Sequence, residues 1–194
     1  MIEYFPADIG LSAPNGIFDI SGEIIAAVET EPDPKCPKWP CHAWLTSSTP
    51  QTLIEALSHV TISPISKYTL PGSQPSLVLR VRSWTDAQRQ AAADKAMTMV
   101  GNRYGFEDVL ADAVDSVLSL AEHHDVIEAR KGAPVDTTRD CAVLVAICTD
   151  MNAWAFCRYP VSAVEPSTIF CDYWDRPDAY EVVFCAESLK KFIK

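Results

Sequence analysis

Cys41-His42-Ala43-Trp44-Leu45-Thr46-Ser47-Ser48-Thr49-Pro50-Gln51-Thr52-Leu53-Ile54-Glu55-Ala56 is the stretch on which the reading of this chain turns. Ala43 to Thr46 and Thr52 to Leu57 each read as a short strand, with Pro50 punctuating the polar residues between them. Paired antiparallel, two such strands place His42 and Glu55 on one face, because side chains alternate between faces along a strand. Further strand-like runs follow at Val60 to Ile65 and Ser76 to Trp84, separated by Pro64 and Pro71-Gly72. In Leu77-Val78-Leu79-Arg80-Val81-Arg82 the alternation of apolar and basic residues predicts one wet face.

Upstream, Glu31-Pro32-Asp33-Pro34-Lys35-Cys36-Pro37-Lys38-Trp39-Pro40 is too proline-rich for regular structure, and the only strand candidate before it is Gly22 to Val28. Downstream, the character changes at Thr85. Thr85-Asp86-Ala87-Gln88 has the capping-box pattern and opens a helix that runs to about Val100, where Gly101-Asn102 stops it. A second helix fits Glu107 to about Ala121, and a third, very apolar one fits Thr138 to Trp154. Pro160, Pro166 and Pro177 mark an irregular stretch before a last strand, Tyr180 to Phe184. Strands, then helices, then a strand predict an α+β fold in a single domain: an irregular segment at about 1–16, a strand-rich part at 17–84, a helical part at 85–154, and an irregular region with the final strand at 155–194.

The 194 residues carry 16 basic and 26 acidic side chains, a formal net charge of −10. That balance argues against binding to a phosphate backbone or to an anionic membrane surface. No apolar run approaches the roughly 20 residues of a membrane span, and the first residues lack the pattern of a secretory leader, so synthesis in the cytoplasm is expected.

Seven cysteines cannot all pair within one chain, and none lies in a C-x-x-C motif. Cys141 stands out. Thr137 or Thr138 is a suitable N-cap, which puts Cys141 in the first turn of the third helix, where unpaired N–H groups and the helix dipole favour a thiolate. Arg139 adds to that effect and Asp140 opposes it. The ordinary alternative is a small core residue, the role expected of Cys148, Cys157, Cys171 and Cys185. Cys36 and Cys41 flank the proline-rich loop and are the candidate pair for a disulfide in an oxidising compartment. A nucleophilic thiol needs a base. His42 and His59 both qualify, and Glu55 is a candidate to orient the imidazole of His42, the alternative being an ordinary exposed strand residue. His123-His124-Asp125 lacks further ligands at suitable spacing, so neither a metal nor another cofactor is expected.

Together these pieces resemble the circularly permuted NlpC/P60 group of papain-like cysteine hydrolases, in which the histidine strand precedes the cysteine helix. His42-Ala43-Trp44-Leu45 and Leu53-Ile54-Glu55-Ala56 match the histidine strand and the polar position about twelve residues on. Ser58-His59-Val60-Thr61-Ile62-Ser63-Pro64-Ile65 is similar to the strand that follows. Gly101-Asn102-Arg103-Tyr104 fits the Gly-x-x-Tyr element, and Asp140-Cys141-Ala142-Val143-Leu144-Val145 takes the place of the cysteine helix start. Val164-Glu165-Pro166-Ser167 is similar to the proline-containing segment after it. Ala142 and Val143 stand where the family has Ser-Glu.

The resemblance implies a papain-like fold in permuted order, a small antiparallel sheet or partial barrel packed on about three helices. It favours His42 over His59, with Cys141 as nucleophile, His42 as general base and acid, and Glu55 orienting the histidine. The Cys141 backbone N–H would serve as an oxyanion donor, with His59 and Tyr104 as secondary candidates. The implied partner is a peptide-containing substrate, a cell-wall muropeptide above all, reached by lysis, a secretion system or a phage. Two rival readings use the same scaffold: an acyltransferase or phospholipase of the lecithin:retinol acyltransferase type, and a non-catalytic binding module.

Overall fold

A computed structural model of the chain describes residues 2–14, 36–37, 39–57, 59–102, 141–149 and 164–194. Six strands form one open antiparallel sheet: β1 (Ile9–Ser12), β2 (His42–Thr46), β3 (Thr52–Ala56), β4 (Val60–Pro64), β5 (Ser76–Val81) and β6 (Tyr180–Cys185). They lie in the order β4-β3-β2-β1-β5-β6. The described residues also hold four α-helices, α1 (Ser66–Thr69), α2 (Asp86–Thr98), α3 (Cys141–Thr149) and α4 (Pro166–Asp175), and two 3-10 segments, Pro177–Ala179 and Glu187–Phe192. The fold class is α+β, as the segment order predicts. The strand expected at Gly22 to Val28 and the helix expected at Glu107 to Ala121 lie outside the described residues.

The two strands of the opening stretch form the expected hairpin, with Trp44 opposite Glu55, Leu45 opposite Ile54 and Thr46 opposite Leu53. Alternation gives the sheet two apolar faces. Ala43, Leu45 and Ile54 share a core with Ile9, Leu11, Leu77 and Leu79 and with residues of α3 and α4. Trp44, Leu53 and Val78 point the other way and pack with Ile65 and Tyr68. Helix α2 starts at the capping box read from sequence: the Gln88 amide donates to Thr85 Oγ1 at 3.3 Å, and the Thr85 amide donates to Gln88 Oε1 at 2.9 Å. Gly101, at φ +93°, closes the turn after this helix in a conformation that favours glycine.

Three expectations are corrected. The segment 1–16 is not irregular throughout, because Ile9–Ser12 is an interior strand paired with β2 on one side and β5 on the other. Within the region 155–194, the described residues, which begin at 164, are likewise not irregular before the last strand. Pro166 opens helix α4 rather than breaking one, since a first-turn proline forfeits an N–H that has no intrahelical acceptor. Finally, β5 has no wet face. It lies between β1 and β6, and Arg80 is buried with Nε and Nη2 each donating to the Asp8 carboxylate at 2.8 Å.

Gly10 in β1 sits directly opposite Trp44, whose ring lies across the glycine where a Cβ would stand. The Trp44 indole is fixed on that side by donation to Ser12 Oγ at 3.0 Å and by stacking on Tyr68 at 5.4 Å. Gly10→Ala is therefore expected to lower stability by about 2–3 kcal/mol through overpacking, read as a reduced urea midpoint with unchanged slope. An unaltered midpoint would show that the indole moves aside freely.

Candidate functional site

The site is built where β2 and β3 begin to part. Their ladder ends at the Trp44–Glu55 pair, and the next amide along β2, that of Ala43, donates to Cys141 Sγ at 3.4 Å. Cys141 lies in α3, whose very apolar sequence packs against the sheet on the Ala43 side, and the N-cap expected at Thr137 or Thr138 lies outside the described residues. The sulfur is thus held at the strand start that carries His42. An amide N–H aimed at sulfur is a contact that strengthens when the sulfur carries negative charge. Cys141 is only 3% exposed.

His42 and Glu55 meet as the strand pairing predicts: His42 Nε2 is 3.0 Å from Glu55 Oε2. Glu55 is not the ordinary exposed residue of the bland alternative; its exposure is 0%. Burial alone would raise the carboxyl pKa, yet hydrogen bonds from His42, Lys67, Ser63 and Tyr68 outweigh it and hold the pKa at about 2. Glu55 is therefore ionised at neutral pH and accepts only. Its histidine partner must carry the proton on Nε2, which leaves Nδ1 as the basic nitrogen.

Sequence reading missed three members of this cluster: Lys67, Tyr68 and Ser63 of β4. The short helix α1 brings Lys67 Nζ to 2.6 Å from Glu55 Oε1 and Tyr68 OH to 2.5 Å from Glu55 Oε2. Burial and the neighbouring Glu55 charge push the Tyr68 phenol up, so it stays a neutral donor. The available signal was the chain direction. After β4 the sequence Ile65-Ser66-Lys67-Tyr68 folds back onto the face that carries Trp44 and Leu53, and Ile65 and Tyr68 share that face's apolar cluster.

The other candidates fall elsewhere. His59 is exposed at the turn between β3 and β4, while the histidine on Glu55 is His42. Tyr104, His123-His124-Asp125 and Cys157 lie outside the described residues. Cys148 is a buried thiol whose pKa burial pushes up to about 12, in keeping with a packing role. Cys185 is half-buried and its thiol is also raised by burial. The expected pairing of Cys36 with Cys41 is corrected, and so is the packing role of Cys171. Cys36 is bonded to Cys171 of α4, with Cα atoms 5.6 Å apart, while Cys41 is a buried thiol whose sulfur donates to the Ser12 carbonyl at 3.5 Å.

Among the described residues no group of three or more His, Cys, Asp or Glu is placed to hold a metal ion, and no helix is long and apolar enough to cross a membrane. No protein-family model matches the chain, and no curated protein is significantly similar to it. Fold and site together define an α+β protein in which an imidazole anchored on a buried carboxylate adjoins, along one strand, the amide that donates to a buried helical thiol.

Proposed function

We propose that the protein is a cysteine hydrolase acting on an amide bond, with Cys141 as nucleophile, His42 as general base and acid, and Glu55 orienting the imidazole. The observation that carries this reading is the 3.0 Å contact between His42 Nε2 and an ionised, fully buried Glu55, on the strand whose next amide donates to Cys141 Sγ. In the first step His42 Nδ1 takes the thiol proton and the sulfur adds to the amide carbonyl. The tetrahedral oxyanion would be met by the Cys141 backbone N–H. His42 then gives its proton to the leaving amine, the C–N bond breaks and a thioester remains. Water, deprotonated by the same imidazole, hydrolyses the thioester and restores the thiol. The resemblance to permuted NlpC/P60 hydrolases supports peptidoglycan stem peptides as the substrate class and a papain-like arrangement of the fold.

Cys141→Ala is expected to lower the turnover of cell-wall muropeptides by about a thousandfold or more while leaving the melting temperature close to that of wild type. Equal turnover by the two proteins would eliminate this mechanism. One observation favours a second reading, a non-catalytic binding module on the same scaffold: the near-complete burial of Cys141. Muropeptide binding by the wild type without any cleavage would select that reading.

A further inference from the structure

We propose that Lys67 is a positioning residue whose ammonium group supplies the countercharge to buried Glu55 and so sets the pH range in which Cys141 and His42 exist as a thiolate–imidazolium pair, while Tyr68 fixes the carboxylate that holds the imidazole. The inference rests on the cysteine hydrolase reading and adds two residues to it.

Glu55 presents two carboxylate oxygens, and they are divided between its partners. Oε1 takes the Lys67 ammonium at 2.6 Å, whereas Oε2 takes Tyr68 OH at 2.5 Å and His42 Nε2 at 3.0 Å. With Glu55 ionised, Lys67 neutralises it before His42 is protonated at all. When the Cys141 proton moves to His42, the thiolate, imidazolium, carboxylate and ammonium charges cancel. Without Lys67 the site would carry a net negative charge both before and after that proton transfer, although Glu55, Tyr68 and Cys141 are all buried, and burial makes uncompensated charge expensive, so every group there would hold its proton to higher pH. The groups facing Glu55 are His42 from β2, Ser63 from β4, and Lys67 and Tyr68 from α1; Cys141 and Cys41 lie close enough to act on the Tyr68 phenol. Lys67 is the one member of this set that is cationic irrespective of the state of His42. Tyr68 contributes shape rather than charge. Its ring is stacked on Trp44 at 5.4 Å and lies 6.1 Å from the His42 ring, so its hydroxyl arrives from a fixed direction.

The test is the rate of Cys141 alkylation by iodoacetamide as a function of pH, with the labelled cysteine identified by peptide mapping. Wild type, Lys67→Met, Lys67→Arg and Tyr68→Phe are compared, with thermal melts alongside. The Lys67 side chain is 37% exposed, so its substitution falls at the rim of the site. In wild type the reactivity should rise with one limb as the thiolate forms and change again with a second as the imidazolium loses its proton. Removing a neighbouring positive charge disfavours deprotonation of both groups, so Lys67→Met should move both limbs to higher pH by about one unit. Lys67→Arg, which keeps the charge, should leave them in place. Tyr68→Phe should lower the rate of muropeptide turnover with both limbs unmoved.

A Lys67→Met profile that is scaled but not displaced would overturn the countercharge role, as would an equal displacement in Lys67→Arg. A wild-type profile with the single limb of an isolated thiol would instead sink the underlying hydrolase reading, so the two failures are distinguishable.

Discussion

Replacing Glu55 by Gln is expected to reduce turnover by about a hundred- to ten-thousandfold and to cost about 3 kcal/mol of stability at neutral pH. Both effects come from one loss. A carboxylate accepts from His42, Lys67 and Tyr68 together; an amide has one accepting oxygen, and its NH2 group faces donors. The imidazole is then no longer tied to the tautomer that leaves Nδ1 basic, and an ammonium and a phenol lose their acceptor. The stability effect carries its own pH signature. Native Glu55 has a pKa of about 2, below its ordinary 4.5, so it stabilises the fold fully above pH 4.5 and progressively less as the pH falls toward 2. The variant has no such group. Urea unfolding of the two proteins should therefore differ most at neutral pH and converge as the medium is acidified through that window. A difference that stays constant from pH 7 to pH 3 would show that the lost stability is packing and not charge.

The pairing of His42 with Glu55 was legible because it needs only period-two alternation and one hairpin, both local properties of residues 41–56. The start of α2 was legible for a similar reason, since a capping box is written in four consecutive residues. What escaped the sequence depends on neighbours far along the chain. Ile9-Gly10-Leu11-Ser12 has little strand character of its own: it is short, and Gly10 weakens it. It is a central strand because β2 and β5 pair with it on both sides, and the glycine is required there by the indole of Trp44. Arg80 alternates like a solvent-facing residue, yet Asp8 lies buried beside it and takes a bidentate pair from it. Pro166 reads as a breaker until its position as the first residue of α4 is known; there the Glu165 amide donates to Thr168 Oγ1 at 3.2 Å and secures the turn. Lys67 and Tyr68 belong to a helix of four residues, too short to show any periodicity. The candidate nucleophile was singled out by an expected helix start at Thr137 or Thr138, which lies outside the described residues. Its neighbour in space, the Ala43 amide, is 98 residues away and was not.

Breaking the Cys36–Cys171 disulfide is expected to have the largest effect on stability of any change in the molecule. The two residues are separated by 135 positions, and cross-linking a loop of that length removes unfolded-state entropy worth about 5 kcal/mol. Against a total stability of about 5–15 kcal/mol for a domain, that is a third or more. The bond also has a local consequence. Cys36 begins the segment that leads through Trp39 and Cys41 into His42, and Cys171 lies in the middle of α4. Trp39 packs edge-on to Phe170 at 5.1 Å and stacks on Phe192 at 5.9 Å, so the segment is held to α4 and to the C-terminal 3-10 turn by rings as well as by sulfur. Those ring contacts persist when the bond is reduced, which predicts a folded but much less stable reduced protein rather than a collapsed one. Urea unfolding with and without a phosphine reductant should show the midpoint falling on reduction, with near-native circular dichroism before the transition. The double variant Cys36→Ala/Cys171→Ala should start near the reduced midpoint and ignore the reductant, because among the described residues Cys36–Cys171 is the disulfide. A wild-type midpoint that does not respond to reductant would refute the cross-link. A response that persists in the double variant would place the reducible bond on other cysteines. A bond of this weight is kept only in oxidising surroundings, so the oxidised midpoint applies there and the reduced midpoint applies wherever thiols are kept reduced.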